Sequence, residues 1–279
     1  MKVNGEKAES TILVEDMPVG SGIRLLDGTN VAHEFPVHIH DSYILGLVTR
    51  GERHIYAAGA DYLIRNGEGF IISPGVPHSC VPASENGHDY RVISLETDLM
   101  KAASIDVFGR EKVPYFSIVK LSENALINQL INMMKSVDNR TVNRDDVLSV
   151  LSLLIRRYAD TEDPAAISES RIHLAGQARD YINAHLMRTI SLDELAAENN
   201  VSPYYLERVF REVVGVPPHV YQLQTRIKKA IDTLLKTGSI IDASYFFGFS
   251  DQSHFSRIFK KNVGVSPGRF IKANKKRMP

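Results

Sequence analysis

The sequence predicts an α+β protein of two domains, an N-terminal β-barrel followed by helices and a C-terminal all-α domain. Its 279 residues exceed the length of one typical domain. Residues 11–100 consist of short apolar stretches separated by turn residues, which is typical of strands. From about residue 122 the apolar residues recur at helical spacing. The chain therefore divides into a β-rich part and a helical part.

The strand assignments rest on apolar segments with turn signals at close spacing. The clearest predicted strands are Tyr43–Val48, His54–Ala58, Tyr62–Ile64, Phe70–Ser73 and Tyr90–Leu95. Segments rich in Gly, Pro, Asn and Asp separate them. Many short strands with such turns favour a sandwich or a barrel.

Two helices are predicted after the strands. The first covers Ser122–Val137 with Ser122 as its N-cap, and the second covers Asn143–Tyr158 with Asn143 as its N-cap. The second helix carries a broad apolar stripe that consists of Val147, Leu148, Val150, Leu151, Leu154 and Ile155. Such a stripe either packs on the β-domain or forms part of a dimer seam, and both interpretations stay open.

Composition sets the expected domain boundaries. We expect the barrel in residues 1–121, a helical packing or dimerisation segment in residues 122–160, a linker in residues 161–170 and the C-terminal domain in residues 171–279. The linker combines small, acidic and hydroxyl residues with one proline.

The net charge of zero conceals an asymmetry between the two parts. Residues 1–170 carry 16 Lys and Arg against 24 Asp and Glu, a net charge of −8, whereas residues 171–279 carry 17 against 9, a net charge of +8. A basic part of this size is the expected footprint of nucleic-acid binding. The short apolar runs, the N-terminus without a signal-peptide pattern and the single Cys80 together favour a cytoplasmic protein.

The C-terminal part contains an internal repeat. Each copy has an Arg-apolar-Phe-basic segment, Arg208–Arg211 or Arg257–Lys260, followed at the same offset by Val-Gly-Val-x-Pro. In each copy a short helix, capped at Ser191 or at Gly238-Ser239, leads to a tight turn at Asn199-Asn200 or at Gly248. A second helix then begins at Ser202-Pro203 or at Ser250-Asp251. This is the pattern of a helix-turn-helix motif, whose second helix enters the DNA major groove.

The second helix of each copy separates into an apolar face and a polar face. The polar faces carry residue types that bind bases and phosphates. These predicted DNA-binding residues are Tyr204, Glu207, Arg208 and Arg211 in the first copy and Gln252, Ser253, His254, Arg257 and Lys260 in the second. A helix predicted over His219–Lys236 would hold the two motifs apart, so that both enter successive major grooves ~34 Å apart.

The segment Gly248–Lys261 with Gly264–Pro267 resembles the signature of the AraC/XylS family of bacterial transcription regulators. The resemblance covers roughly the last hundred residues strongly and the rest weakly. It implies base-facing positions at Tyr204, Glu207 and Arg208, and at Gln252, Ser253 and Arg257. The chain departs from the family pattern at Ala243-Ser244, where a large aliphatic residue followed by Ala is usual, and at Phe246, where a polar residue is common.

Two short segments of the N-terminal part, His38–His40 and Gly69–His78, look like the half-motifs of a cupin barrel. The resemblance implies an effector-sensing domain. His38, His40 and His78 offer a three-histidine set for a metal ion, but the carboxylate that metal-using cupins place after the His pair is missing. The alternative is that these histidines form hydrogen bonds within the barrel or contact an organic effector. No metal and no cofactor is therefore expected.

Barrel interiors are common small-molecule sites. The candidate effector-binding residues are His38, His40, Tyr43, Arg53, Tyr56, His78 and Arg91. An Arg inside the barrel would indicate a carboxylate or phosphate on the effector, although surface exposure is the commoner location for Arg53 and Arg91.

The leading hypothesis is a sequence-specific transcription regulator controlled by a small-molecule effector, not an enzyme. The expected partners are double-stranded DNA at promoter half-sites, the effector, a second copy in a homodimer and RNA polymerase, with no membrane. Two alternatives stay open: a metal-dependent cupin enzyme with a basic appendage, and an architectural DNA binder without an effector.

Overall fold

Ten strands form the β-rich part of the computed structural model, which describes residues 9–16, 22–117, 119–160 and 167–275. The strands are β1 Thr11–Asp16, β2 Ile23–Val31, β3 Phe35–His38, β4 Tyr43–Arg50, β5 Glu52–Ala57, β6 Ala60–Arg65, β7 Gly69–Ile72, β8 His78–Pro82, β9 His88–Leu95 and β10 Lys120–Leu121. They make a six-stranded sheet in the order β1-β2-β9-β4-β7-β10 and a four-stranded sheet in the order β3-β8-β5-β6. All five predicted strands are confirmed, with ends that differ by a few residues. The predicted strands did not include β1, β2, β3, β8 or β10.

The two faces of the six-stranded sheet have different neighbours, because successive side chains of a strand point to opposite sides. Leu45 and Leu47 of β4 belong to an apolar core that also contains residues of three helices. These helices are α1 Thr97–Phe108, α2 Asn124–Asp138 and α3 Arg144–Tyr158. Gly46, on the opposite face of β4, lies against the ring of Phe70 from β7. This second face meets the side chain of Arg53 from the four-stranded sheet.

The helix predictions for this part were correct for two helices and missed a third. Asn143 caps α3 by accepting a hydrogen bond from the Asp145 amide at 3.0 Å, as predicted. The N-cap of α2 is Glu123, whose side chain makes no capping hydrogen bond, so the assignment of Ser122 as N-cap was wrong. Helix α1 was missed because its pattern is irregular: it buries Ser104 and exposes Ile105.

The broad apolar stripe of α3 packs largely against the core of its own unit. Val147, Leu151, Leu154 and Ile155 are buried, and Leu148 and Val150 pack partly buried against the same core. Packing against α1, α2 and the sheet therefore accounts for most of the stripe.

Seven helices form the described C-terminal part. They are α4 Glu169–Ala184, α5 Leu192–Glu198, α6 Pro203–Val214, α7 Pro218–Thr237, α8 Ile240–Tyr245, α9 Gln252–Val263 and α10 Pro267–Asn274. One core joins α4, α5, α6 and α7 through buried residues such as Ile182, Leu195, Phe210 and Tyr221. No helix in the described part of the chain is both long enough and apolar enough to cross a membrane.

The contacts divide the chain into two units. Unit 1 comprises Met1–Glu34, His40–Pro74 and Ser79–Asp163, and unit 2 comprises Phe35–Ile39, Gly75–His78 and Pro164–Pro279. Within unit 2, the Gln224 side chain accepts a hydrogen bond from the Ile39 amide at 3.3 Å and donates one to the Val37 carbonyl at 3.1 Å. Most of the predicted linker, residues 161–166, lies outside the described residues.

Candidate nucleic-acid interface and effector site

The first helix-turn-helix motif consists of α5, a tight turn and α6. Ser191 caps α5 by accepting a hydrogen bond from the Glu194 amide at 3.0 Å, and Ser202 caps α6 by accepting one from the Tyr205 amide at 3.3 Å. Asn200 adopts a left-handed conformation in the turn, with a φ of 53°. Both predicted caps and the predicted turn residue are confirmed.

Helix α6 presents a cationic outer face. Leu206 and Phe210 are fully buried on its inner side, whereas Tyr204, Arg208 and Arg211 are exposed, Tyr204 at 78%. The guanidinium carbon of Arg208 lies 5.4 Å from the ring centroid of Tyr205. The exposed face therefore offers a phenol and two guanidinium groups, which can bind guanine bases and phosphates.

Glu207 differs from the other predicted contacts of α6. It is only half exposed and lines a cavity of about 290 Å³ within unit 2. The other lining residues include Ile182, Ile190, Leu192, Leu195, Pro218 and His219. Glu207 thus shares this cavity with residues of α5 and α7, and it differs in this from the exposed Tyr204, Arg208 and Arg211.

The second helix-turn-helix motif consists of α8, a turn and α9. Ser239 caps α8 by accepting a hydrogen bond from the Asp242 amide, and Asp251 caps α9 by accepting one from the His254 amide at 2.7 Å. This backbone hydrogen bond to the carboxylate lowers the pKa of Asp251. Gly248 has a φ of 70° in the turn, as the sequence pattern predicts.

Helix α9 repeats the arrangement of α6. Phe255 and Phe259 are fully buried, and the predicted contacts Gln252, Ser253, Arg257 and Lys260 are exposed. His254 is half buried instead: its ring packs edge-on against Phe249 at 5.9 Å, and its Nδ1 lies 3.1 Å from the Ser250 hydroxyl. These contacts place His254 in the turn packing rather than among the outward side chains.

A residue that the sequence patterns missed connects the two motifs. The buried Arg226 of α7 donates hydrogen bonds to the carbonyls of Leu186 at 2.7 Å, Arg188 at 2.8 Å and Gly248 at 3.3 Å. Burial lowers the pKa of this guanidinium. Arg226 thereby ties the turn of the second motif to the loop that precedes α5. The sequence contained one signal for this role, because Arg226 is a basic residue at a position where the apolar pattern of α7 predicts the core.

Three predicted effector residues lie away from the interior between the two sheets. Tyr43 is fully buried on the helix side, donates a hydrogen bond to the Pro114 carbonyl at 2.6 Å, and has a raised pKa because of burial. Tyr56 is 43% exposed and stacks on His54. Arg91 pairs with Asp27 of β2 and Asp138 of α2, so its guanidinium is used to join strand and helix.

Arg53, by contrast, is 4% exposed. It alternates with the outward His54 and shares the inward face of β5 with Ile55 and Ala57. The expectation that surface exposure is the commoner location therefore fails for this residue. The equally buried His88 of β9 was not among the candidates, although it alternates at period two with Tyr90 and Val92.

His38 and His78 come close together within unit 2, with ring centroids 4.1 Å apart. Nδ1 of His38 lies 2.8 Å from the Pro36 carbonyl, and Nδ1 of His78 lies 2.9 Å from the Val76 carbonyl. Since a carbonyl only accepts, each Nδ1 is the donor, which leaves Nε2 of a neutral ring as the acceptor. The two rings therefore place imidazole nitrogens, which are common metal ligands, close to one another.

Comparisons with known families match both parts of the chain. Residues 21–175 match the AraC-like ligand binding domain, and residues 195–273 match a helix-turn-helix domain. The first match alone covers more than half of the chain.

Individual relatives extend over most of the chain. The HTH-type transcriptional regulator YbfI of Bacillus subtilis (strain 168) is 29% identical over 227 residues, which is 80% of this chain and 82% of that protein. The lactose operon transcription activator of Staphylococcus xylosus is 22% identical and covers 86% of this chain and 87% of its own.

A solved structure shares the fold. Unsaturated fatty acid-bound ToxT from Vibrio cholerae strain SCE256 aligns with a TM-score of 0.63 at 16% identity, over 97% of this chain and 98% of its own. The family matches agree with the sheet domain and the paired helix-turn-helix motifs. The chain belongs to the AraC family of HTH-type transcription regulators.

Proposed function

We propose that the effector binds inside the β-domain and changes the affinity of α6 and α9 for two promoter half-sites. The observation that carries the DNA-binding role is the matched pair of cationic helix faces, with Arg208 and Arg257 at equivalent positions of the repeat. One 20-residue helix, α7, connects the two motifs, and Arg226 fixes the second turn to that helix. Two reading helices on one frame suit adjacent major grooves.

We propose that the hydrogen bonds of Gln224 take part in the response to the effector. Its side chain binds the backbone on both sides of His38, and α7 carries Gln224 between the two motifs. A ligand that displaces His38 would therefore act on the helix that joins them. Such a ligand shifts the DNA affinity only if it binds two arrangements of the protein with different affinity.

The remaining partners are proposals of the same kind. We also propose a homodimer. Because the apolar stripe of α3 is mostly covered by its own core, the dimer contacts would come from the outer surfaces of α2 and α3. RNA polymerase is the expected further partner at the promoter. We also propose a cytoplasmic location and no enzymatic activity, as expected of a DNA-binding regulator.

Binding of the purified chain to mapped genomic sites tests the DNA-binding proposal. We expect two half-sites about one helical turn apart, with affinity lost when either is scrambled and a steep decrease with salt. Equal binding to the intact and scrambled duplexes would contradict the proposal. A metabolite that raises the Tm and changes the DNA affinity would support effector control.

The histidine cluster favours a second candidate, a metal-dependent enzyme. The neighbouring rings of His38 and His78 supply two of the imidazole nitrogens that zinc or iron sites use. Elemental analysis of purified full-length protein distinguishes the candidates, since an enzyme of this kind requires about one metal ion per chain. A sub-stoichiometric content would exclude it.

A further inference from the structure

Two buried side chains of the β-domain have nitrogen atoms without a hydrogen-bond partner in the described part of the chain. They are Arg53, through Nε, and His88, through both Nδ1 and Nε2. Arg53 is 4% exposed and His88 is 1% exposed. The Val31 backbone pairs with His88 in the sheet, but neither ring nitrogen makes a hydrogen bond of good geometry with it. Buried polar atoms are nearly always satisfied, so such a pair of neighbours points to a ligand.

These groups gather around one aromatic ring. The guanidinium carbon of Arg53 lies 4.7 Å from the ring centroid of Tyr90 and 5.4 Å from that of Phe70. The ring of His88 stacks on Tyr90 at 5.4 Å. The rings of Tyr90 and Phe70 each lie against a glycine of a neighbouring strand, where a side chain would leave no room for the ring. A Cβ on Gly28 would lie 2.4 Å from Tyr90, and one on Gly46 would lie 2.1 Å from Phe70. The guanidinium is therefore held by aromatic faces rather than by an acid.

The nearby carboxylates have other partners. Asp89 accepts hydrogen bonds from Arg50 at 2.8 Å and from the Asn30 amide at 2.7 Å. Asp27 accepts from Arg91 at 2.6 Å. Among the described residues no carboxylate pairs with Arg53, so a positive charge stays in the interior uncompensated. A buried charge without a counter-ion is costly, which favours an anion from outside the chain.

The charges of Arg53 and His88 favour a monoanion as the ligand. Burial, and then the positive charge of Arg53, lower the pKa of His88 to about 3, so the imidazole is neutral near pH 7. One guanidinium beside one neutral imidazole matches a single negative charge. A dianion such as a phosphate monoester would leave one charge unpaired in an apolar surrounding.

We propose that Arg53 and His88 bind the carboxylate of an organic monoacid between the two sheets of the β-domain. The planar guanidinium presents paired N–H donors that match a carboxylate, and His88 adds one further donor. Ile55, Ala57 and Phe70 around the cation suit an apolar body on the same molecule. This inference names the chemical class of the effector and rests on the proposed function.

The test compares carboxylates with their uncharged amides on the full chain. Benzoate and hexanoate are titrated against benzamide and hexanamide, with Tm and calorimetric Kd as readouts. We expect only the carboxylates to raise the Tm, since a ligand of the native state stabilises it by mass action. Arg53→Met keeps the apolar length of the side chain and should weaken carboxylate binding about 10- to 100-fold. Arg53→Lys keeps the positive charge but not the paired N–H donors of the guanidinium, and should give an intermediate affinity for the carboxylates.

The matched control is Arg65→Gln on the neighbouring strand β6, whose side chain is 55% exposed and which should bind as the wild type does. A second readout is the NMR signal of the Arg53 Nε–H group, identified by its loss in Arg53→Met. This signal should shift when benzoate is added and stay in place with benzamide.

Several outcomes would overturn the inference. These are equal stabilisation by amides and acids, an unchanged carboxylate Kd in Arg53→Met, or a response to inorganic phosphate alone. Failure of the proposed function has a different signature, because DNA binding is measured without ligand. If the wild type binds its DNA and its Tm rises only with neutral metabolites, the carboxylate inference is wrong and the regulator role is still supported. Carboxylate binding without sequence-specific DNA binding would contradict the proposed function and support the carboxylate inference.

Discussion

A Cβ atom on Gly248 would lie 2.3 Å from the carbonyl oxygen of Met187. Gly248 also has a φ of 70°, a conformation that side chains other than glycine rarely adopt. The turn between α8 and α9 is thus in backbone contact with the loop that precedes α5. Arg226 strengthens this contact by donating to carbonyls on both segments. The two helix-turn-helix motifs are positioned by these few polar and backbone contacts.

Gly248→Ala should destabilise unit 2 by about 2–4 kcal/mol, because the new methyl group adds a clash to the left-handed strain. Urea unfolding of the full chain measures this loss. Gly238→Ala is the matched control, since Gly238 has a φ of 68° but no atom within 4 Å of its Cβ position. The control should cost only about 1–2 kcal/mol. Equal losses of unfolding free energy in both variants would mean that the backbone at Met187 moves away from the new methyl group without an energetic penalty.

Arg226→Met should reduce stability by about 2–3 kcal/mol, because it leaves carbonyl groups without donors. It should also weaken binding to a duplex that contains both half-sites more than binding to a single half-site, since the motifs lose their fixed separation. Fluorescence anisotropy with the two duplexes measures the difference. Lys229→Met, an exposed change on the same helix, should alter neither quantity.

Arg208→Ala and Arg257→Ala should each cost about 1–3 kcal/mol of DNA affinity and relax specificity at particular base pairs. Binding to duplexes with single base-pair changes measures this. Lys236→Ala, a cation outside the reading helices, serves as the control for general charge loss. If both Arg variants weakened binding equally for every sequence, the two side chains would bind phosphates instead of bases.

Acid should destabilise unit 1 through His88. Its pKa is about 3 in the folded chain, against an ordinary value of 6.5, chiefly because of burial. The unfolded chain therefore binds a proton in the window between these values, and stability falls as the pH drops from 6.5 towards 3. The loss is about 1.4 kcal/mol for each pH unit at most. Unfolding free energies of His88→Phe should show a flatter profile in this window, and an unchanged profile would contradict the assignment to His88.

Gly46→Ala should destabilise unit 1 by about 1–3 kcal/mol, because its methyl group would overlap the Phe70 ring. The smaller side chain in Phe70→Leu should relieve part of that overlap. A double-mutant cycle of unfolding free energies is then expected to be non-additive, with Gly46→Ala costing less in the Phe70→Leu background. Additive costs would place the strain elsewhere in the sheet.

Local sequence patterns were sufficient wherever the structure depends on neighbouring residues. The caps at Asn143, Ser191, Ser202 and Ser239 were predicted correctly, because a capping side chain binds an amide only two or three residues away. Helix α1 was missed for the opposite reason. Its burial of Ser104 is stabilised by hydrogen bonds to the carbonyl of Lys101 and the amide of Lys112, which no apolar periodicity reveals.

The sequence by itself determined the two-part organisation, the paired helix-turn-helix motifs and the outward face of α9 apart from His254, because each follows from local periodicity, capping and the repeat. Only the tertiary structure decided whether a charged residue on a strand is buried and which groups it contacts. Arg53 and Arg91 both lie on strands, yet one is buried among aromatic rings and the other is paired with Asp27 and Asp138. The difference arises from which strands and helices pack against each side chain, and those neighbours are distant in the sequence.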